Sequence, residues 1–327
     1  MSKTAGTCQT PAMATPCSPF QNRTPVLSWP ATLGIACGCV VLAPIRLVVF
    51  MLGLVLMAIF GNLSLLGLSD EALDAAPYGL ARKTMRWPAE IGVRMLFFAQ
   101  GVWWISESGE RASAREAPIV VSNHSSFIDL ALVQRLRGAA VSSIHNKRIP
   151  VLGALSRCFQ FVFVDRNDAD SRRASKKTIE RRASSAETWP QTVIFPEGTT
   201  TNRSALIEFK LGAFSPLVPV QPVVVAYGLD WGVDPSFVNA PPTMLATGLR
   251  LLCVPWLRMS FTYLPTMRPA PGEKAEAFAA RVQGAMASAM GVPVSEKNFA
   301  DAMKEAKTAR EAREAAVAQK KRGAKED

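Results

Sequence analysis

Between Ala31 and Leu68 the chain carries one charged residue, Arg46, in an otherwise apolar run. A helix of that length would extend about 57 Å at about 1.5 Å per residue, nearly twice the ~30 Å of a bilayer's hydrocarbon core. Pro44-Ile45-Arg46 is therefore expected to divide it. Leu47–Leu68 then has the roughly 20 residues a spanning helix needs, and Ala31–Ala43 is short enough to lie at the interface or form one arm of a re-entrant hairpin. Gly34 and Gly38 have the spacing of a close helix contact. Residues 1–29, rich in Ser, Thr and Pro, read as a disordered tail. A second apolar patch, Ile91–Ile105, is interrupted by Arg94 and Gln100 and carries Phe97, Phe98, Trp103 and Trp104. It suits either the headgroup boundary or a core helix.

Further along, the period changes. Ala117–Val121, Phe161–Val164 and Thr192–Phe195 are short apolar runs of the kind that form buried strands. Phe127, Ile128, Leu130, Ala131 and Leu132 open a helix for which Ser125 or Ser126 is a suitable cap, with Asp129 at its positive end. Met244–Leu257 is too short to span and reads as a packed or membrane-dipping helix, and Phe278, Val282, Met286 and Met290 recur with helical period. Strands alternating with helices describe an α/β domain with a mixed or mostly parallel sheet flanked by helices, preceded by a hydrophobic membrane-anchor helix or helical hairpin. From Asp301 an Ala, Glu, Lys and Arg-rich tail reads as a solvated helix that frays.

Charge narrows the partners. The net charge of +11 calls for anionic ones, and with no zinc finger, aromatic RNA-binding pattern or basic heptad region in the chain, lipid headgroups are favoured over nucleic acid. Lys3 and Arg23 precede the apolar run, while Arg82, Lys83, Arg86 and Arg94 follow it. A single span would leave the bulk of the chain cytosolic, and a hairpin would put both ends there. The sequon Asn22-Arg23-Thr24 separates the two. Cys8, Cys17, Cys37, Cys39, Cys158 and Cys253 form no CxxC pair and no cluster with histidine, so neither a disulfide framework nor a metal site is expected.

Only two histidines occur. His145 has no partner at a recognisable spacing and reads as structural, whereas His124 stands where a strand turns into a helix, five residues before Asp129. Two residues five apart within one helix point about 140° away from each other, but from outside the first turn the His124 ring can fold back to the Asp129 carboxylate. A carboxylate on one ring nitrogen fixes the tautomer and leaves the other able to take a proton from a hydroxyl. No GxSxG elbow and no Walker loop accompanies it. Arg166 and Glu197 fall at the carboxyl ends of the second and third strands, where ligands gather in open α/β sheets. There a guanidinium can grip a phosphate, a carboxylate can fix a hydroxyl or the arginine itself, and Gly198 lets the backbone turn closely against a ligand. The stripe Arg172, Arg173, Lys176, Lys177, Arg181 and Arg182 reads either as a solvated face or as a seat for phosphates.

The stretch Asn123-His124-Ser125-Ser126-Phe127-Ile128-Asp129 resembles the HxxxxD motif of the glycerolipid acyltransferases. Phe161–Arg166, Phe195-Pro196-Glu197-Gly198-Thr199 and Val218–Val223 resemble that family's second, third and fourth blocks in order and spacing. Thr200-Thr201-Asn202, Phe209–Phe214 and Met290–Ser295 are similar to the lysophosphatidylcholine and lysophosphatidylethanolamine branch, whereas typical lysophosphatidate enzymes have Arg and Ser where Thr200 and Thr201 stand. No DxDxDG-type calcium loop occurs in these residues. The resemblance implies acyl transfer from acyl-CoA, as co-substrate, to the free hydroxyl of a lysophospholipid, with no metal or other cofactor. It implies His124 and Asp129 as catalytic residues, Arg166, Glu197, Gly198 and Thr199 as substrate-binding residues, and residence in the endoplasmic reticulum membrane with a cytosolic site. Lysophosphatidate or glycerol 3-phosphate as acceptor, and a non-catalytic lipid-binding scaffold, remain open alternatives. The expected organisation is a tail (1–29), an anchor (30–68), interfacial linker helices (69–112), the acyltransferase domain (113–300) and a charged tail (301–327); oligomeric state is not legible.

Overall fold

The computed structural model describes residues 18–21, 27–238 and 244–326. The expectations for the rest of the N-terminal tail, the Asn22 sequon included, lie outside the described residues. Three helices come first: α1 (Trp29–Leu63), α2 (Asp70–Ala75) and α3 (Leu80–Ala99). The remainder interleaves seven strands with six helices: β1 (Ile105–Ser108), β2 (Ile119–Ser122), α4 (Leu130–Leu136), β3 (Ala139–Ser143), α5 (Leu152–Cys158), β4 (Val162–Val164), α6 (Ala169–Ser184), β5 (Thr192–Ile194), β6 (Val220–Tyr227), α7 (Met244–Cys253), β7 (Met259–Tyr263), α8 (Ala275–Met290) and α9 (Phe299–Glu326).

One sheet orders the strands β1-β7-β6-β2-β5-β3-β4. The five from β6 to β4 run parallel, and β7 is antiparallel to β6 with β1 parallel to β7, so the sheet is mixed but mostly parallel. Strand β2 is buried at every position, because the sheet is covered on both faces. Val120 points to a core with Leu132, Val193, Val225, Leu251 and Phe261. Ile119 and Val121 point to the opposite core, with Ile179, Phe214, Phe278, Val282 and Met286. The helical period of Phe278, Val282 and Met286 thus reports a real buried face, whereas the sheet also takes in Ile105–Ser108, from the stretch expected to be linker.

The expected break at Pro44 does not occur. Helix α1 runs unbroken through it for 35 residues. Pro44 has no N–H and so withholds one rung of the helix ladder, but packing on both sides of it holds the helix together. A Cβ on Gly34 would lie 2.4 Å from the Trp231 ring, and one on Gly38 would lie 1.9 Å from the Cys253 carbonyl oxygen. The Gly34/Gly38 pair therefore seats α1 on this chain's own α7 region. Buried Arg46 donates to the carbonyls of Leu252 (3.1 Å), Val254 and Pro255 (2.6 Å), satisfying backbone oxygens that the end of α7 leaves free. Farther on, Gly53 and Gly92 meet backbone to backbone: a Cβ on Gly92 would lie 2.6 Å from the Gly53 oxygen. The Ile91–Ile105 patch is thus largely α3, packed against α1 as the second arm of a helical hairpin. The end of α1 reaches α5, where Gly61 faces Ala154 and Leu155.

The basic stripe on α6 is largely committed to protein contacts. Arg182 is buried, donating to the Gln160 carbonyl and to Asp74; Arg181 reaches the Asp74 carbonyl, and Arg172 the Arg166 carbonyl. Arg173 and Lys176 pair within the helix with Asp170 and Glu180. Helix α9 runs from Phe299 to Glu326, through the tail expected to be a charged helix or to fray.

Candidate active site

At the carboxyl end of β2 the chain turns sharply, and Asn123 sews that turn to β6. Its Nδ2 donates to the Val225 oxygen (3.0 Å) and its Oδ1 accepts the Val225 N–H (2.8 Å). Ser126 caps the following helical turn, accepting the Ile128 N–H at 3.3 Å. Asp129 closes the reciprocal half of that capping box, and its carboxylate accepts the N–H groups of Ser125 (2.6 Å) and Ser126 (2.8 Å). The same Oδ2 lies 2.8 Å from His124 Nδ1, so the five-residue spacing closes as the geometry outside a helix allows.

Asp129 is wholly buried and is satisfied as an anion by these donors and by the Tyr227 hydroxyl, which bonds its other oxygen. With the carboxylate ionised, His124 carries its proton on Nδ1, leaving Nε2 as the free lone pair. Among the described residues no protein group bonds Nε2, and the imidazole is 23% exposed, open to a ligand on one side. On the other it stacks on Phe195 at 4.3 Å between centroids.

Glu197 sits elsewhere than a ligand-facing role requires. It is wholly buried, with Oε1 accepting the His124 N–H at 2.8 Å and Oε2 accepting the Thr201 hydroxyl at 3.2 Å, and the Ile207 N–H also reaches the carboxyl. Burial, with Asp129 nearby, pushes its pKa up to about 8. Burial thus opposes a second anion beside Asp129, while the three donors favour one. Glu197 does not pair with Arg166. Arg166 donates instead to the Gly198 oxygen at 2.5 Å and lies 5.3 Å from the centre of the Phe299 ring. Gly198 adopts φ +71°, and a Cβ there would lie 2.8 Å from Lys210 Nζ, so the close approach is by this lysine. Thr199 is half-buried beside it.

Sequence reasoning missed Tyr227, and it read Lys210 and Thr201 only as parts of blocks that resemble the family, with no contact of their own in the site. Tyr227 ends an apolar strand, and in the linear chain nothing distinguishes it from a core aromatic. Lys210 stands over the Phe299 ring at 3.5 Å, and burial together with Arg166 lowers its pKa to about 8. His145 is exposed on the turn after β3, apart from the site. Among the described residues no three His, Cys, Asp or Glu side chains converge as metal ligands would.

Comparison with known proteins places this geometry in a family. The acyltransferase family model matches residues 105–226, from β1 to within β6. A lysophosphatidylcholine acyltransferase of Drosophila melanogaster is 38% identical over 298 residues, covering 87% of this chain and 54% of that protein. A human lysophospholipid acyltransferase is 38% identical over 265 residues, covering 79% and 50%. The chain thus spans about half the length of the curated relatives it matches. Among solved structures, the 1-acyl-sn-glycerophosphate acyltransferase of Thermotoga maritima is similar at 16% identity, with a TM-score of 0.48 over 76% of this chain and 96% of that one. Through residues 105–226, which hold His124, Asp129, Arg166 and Glu197, the chain belongs to the acyltransferase family.

Proposed function

We propose that the protein transfers a fatty acyl group from acyl-CoA to the free hydroxyl of a lysophospholipid, with His124 as general base. The observation that carries this reading is the 2.8 Å bond from His124 Nδ1 to a carboxylate that three other donors hold in place, with Nε2 left free at the carboxyl ends of parallel strands. Nε2 takes the hydroxyl proton as the lipid oxygen attacks the thioester carbonyl. The carbon–sulfur bond then breaks, and the CoA thiolate leaves with a proton returned from the imidazolium. Asp129 stabilises that imidazolium and keeps the ring in register. A thioester is already activated, so a positioned base contributing about 10²–10⁴-fold, with both substrates oriented at a membrane surface, suffices.

Arg166 and Lys210 supply positive charge beside Gly198 for a phosphate of either substrate. The relatives' names support a lysophosphatidylcholine-type acceptor. Thr200 and Thr201, both buried in the loop, bring no cation of their own for a phosphomonoester. The α1–α3 hairpin is the membrane anchor, with residence in the endoplasmic reticulum and the site facing the cytosol.

The test is release of free CoA thiol by purified membranes given acyl-CoA and a panel of lyso-acceptors. His124→Ala is expected to remove at least about 10²-fold of the turnover without changing membrane recovery. Near-normal turnover in that variant would exclude His124 as the base. Lysophosphatidate or glycerol 3-phosphate outcompeting the other acceptors would overturn the acceptor, and no thiol release from the unmodified protein would leave only a lipid-binding scaffold.

A further inference from the structure

Glu197 holds the His124 backbone, and Glu197 is itself held by Thr201 and Ile207. Both of these holders adjoin a segment from the other side of α1. Thr201 donates its N–H to the His124 carbonyl at 2.9 Å. The next residue, Asn202, is fastened to the chain before the membrane helix: its N–H donates to the Pro19 carbonyl (2.9 Å), and its Nδ2 donates to the carbonyls of Ser18 (2.9 Å) and Gln21 (2.8 Å). Phe20 is buried in a small apolar cluster with Ile207 and Ala302 of α9. The Ser18 hydroxyl donates to Glu305 of α9 (2.9 and 3.1 Å) and accepts from Lys297 (2.9 Å), which also pairs with Glu305 at 2.6 Å. The loop that carries Glu197 is therefore gripped at Asn202 and Ile207 by residues more than 180 positions earlier in the chain.

We infer that Ser18–Gln21 is a positioning strap of the active site: docked on Asn202, Ile207 and α9, it fixes the Glu197–Asn202 loop and, through it, the His124 peptide. Three backbone carbonyls converging on one asparagine make a specific joint, because Asn202 offers both an N–H and a two-donor amide there. A carboxyl placed by Ile207, which the strap packs, and by Thr201, next to the Asn202 that the strap clamps, loses its alignment when the strap lets go. Displacement of a general base by about 1 Å lowers turnover by up to about 10²-fold while leaving substrate contacts in place. The strap acts through Glu197 and touches no reacting atom, so Asn202 and Phe20 are positioning residues.

The inference rests on His124 being the base, and the experiment separates the two. His145→Gln leaves His124 as the sole histidine, so its reactivity toward diethyl pyrocarbonate can be followed by absorbance in the full-length protein. In that background, Asn202→Ala and Phe20→Ala are each expected to lower kcat by about 10- to 100-fold without a matching rise in KM for either substrate. Both are expected to change the His124 modification rate several-fold at an unaltered melting temperature. The double variant should be no worse than either single one, and Phe20→Leu, which refills the cluster, should recover most of the rate. Wild-type kcat and wild-type His124 reactivity in Asn202→Ala would overturn the strap, as would a multiplicative loss in the double variant. If Phe20→Ala does not fold, Asn202→Ala and Ser18→Ala decide by the same readouts. Retained turnover in His124→Ala would defeat the catalytic reading alone, since the reactivity of His124 in Asn202→Ala still tests the strap.

Discussion

Tyr227 closes β6 with its hydroxyl on Asp129, wholly inside the protein, and burial beside that carboxylate drives the phenol pKa well above its ordinary value. The phenol therefore stays protonated and donates throughout the working pH range. Removing the donor leaves Asp129 with its backbone N–H groups and His124. Tyr227→Phe is expected to destabilise the fold by about 1.5–3 kcal/mol, the size of a hydrogen bond to a buried charge, and to lower kcat about tenfold with KM unchanged. Chemical denaturation and steady-state kinetics check both, and an unaltered kcat would show that Asp129 needs no third support. At this scale the pairing of His124 with Asp129 was legible, because five positions across a strand-to-helix turn bring the two side chains together locally. Tyr227 was not, since 98 positions separate it from Asp129 and only the pairing of β2 with β6 makes them neighbours. Glu197 was legible as a member of the site but not in its role, because burial is a property of the surroundings and turns a ligand-facing carboxylate into a backbone support.

Among the elements, α1 departs most from the sequence reading. Its apolarity was plain, but the effect of Pro44 depends on what packs beside it, and Arg46, the one charge in the run, becomes a cap for the end of α7. A methyl group on Gly38 would overlap the Cys253 carbonyl, and backbone on both sides leaves it no room to yield. Gly38→Ala is expected to lower stability by about 1–3 kcal/mol, the range for overpacking a tight contact, and to lower the melting temperature in detergent. An unchanged melting temperature would mean that α1 rides loosely on α7. The α6 stripe follows the same logic: its spacing was readable, but Arg182 is a buried tie to α2 and the Gln160 carbonyl, because the hairpin folds back over that end of the sheet.

Across the whole molecule, α1 is in contact with protein from Gly34 to Gly61, and its other flank exposes Val40, Val41, Ile45, Val48, Leu52, Val55 and Ile59. Exposed Leu245 and Leu249 of α7, with Trp103 and Trp104, extend the apolar area. A continuous apolar surface of this size is unusual where it faces water, and it suits the proposed membrane anchor. The helix measures about 52 Å at about 1.5 Å per residue, yet its far end returns through α2 and α3 and the strap before its near end sits on Asn202. Both ends of α1 thus meet the domain that carries His124, and the proposed membrane anchor would bed that domain on one face. The expected outcome is no N-linked glycan at Asn22 when the chain is translated with microsomes. An endoglycosidase-sensitive shift that vanishes in Asn22→Gln would place the strap in the lumen and overturn this seating.

The sequence by itself determined the class of fold, the long apolar N-terminal segment and the pairing of His124 with Asp129. Each is written in local periodicity, composition or short spacing, which a linear chain displays directly. Tertiary structure decided that Glu197 lies buried against the His124 backbone, that Tyr227 bonds Asp129, that Asn202 meets Ser18–Gln21, and that a proline-bearing helix stays whole. These depend on burial and on hydrogen bonds between distant segments, and such partners exist only once the strands have taken their order and the hairpin has closed over them.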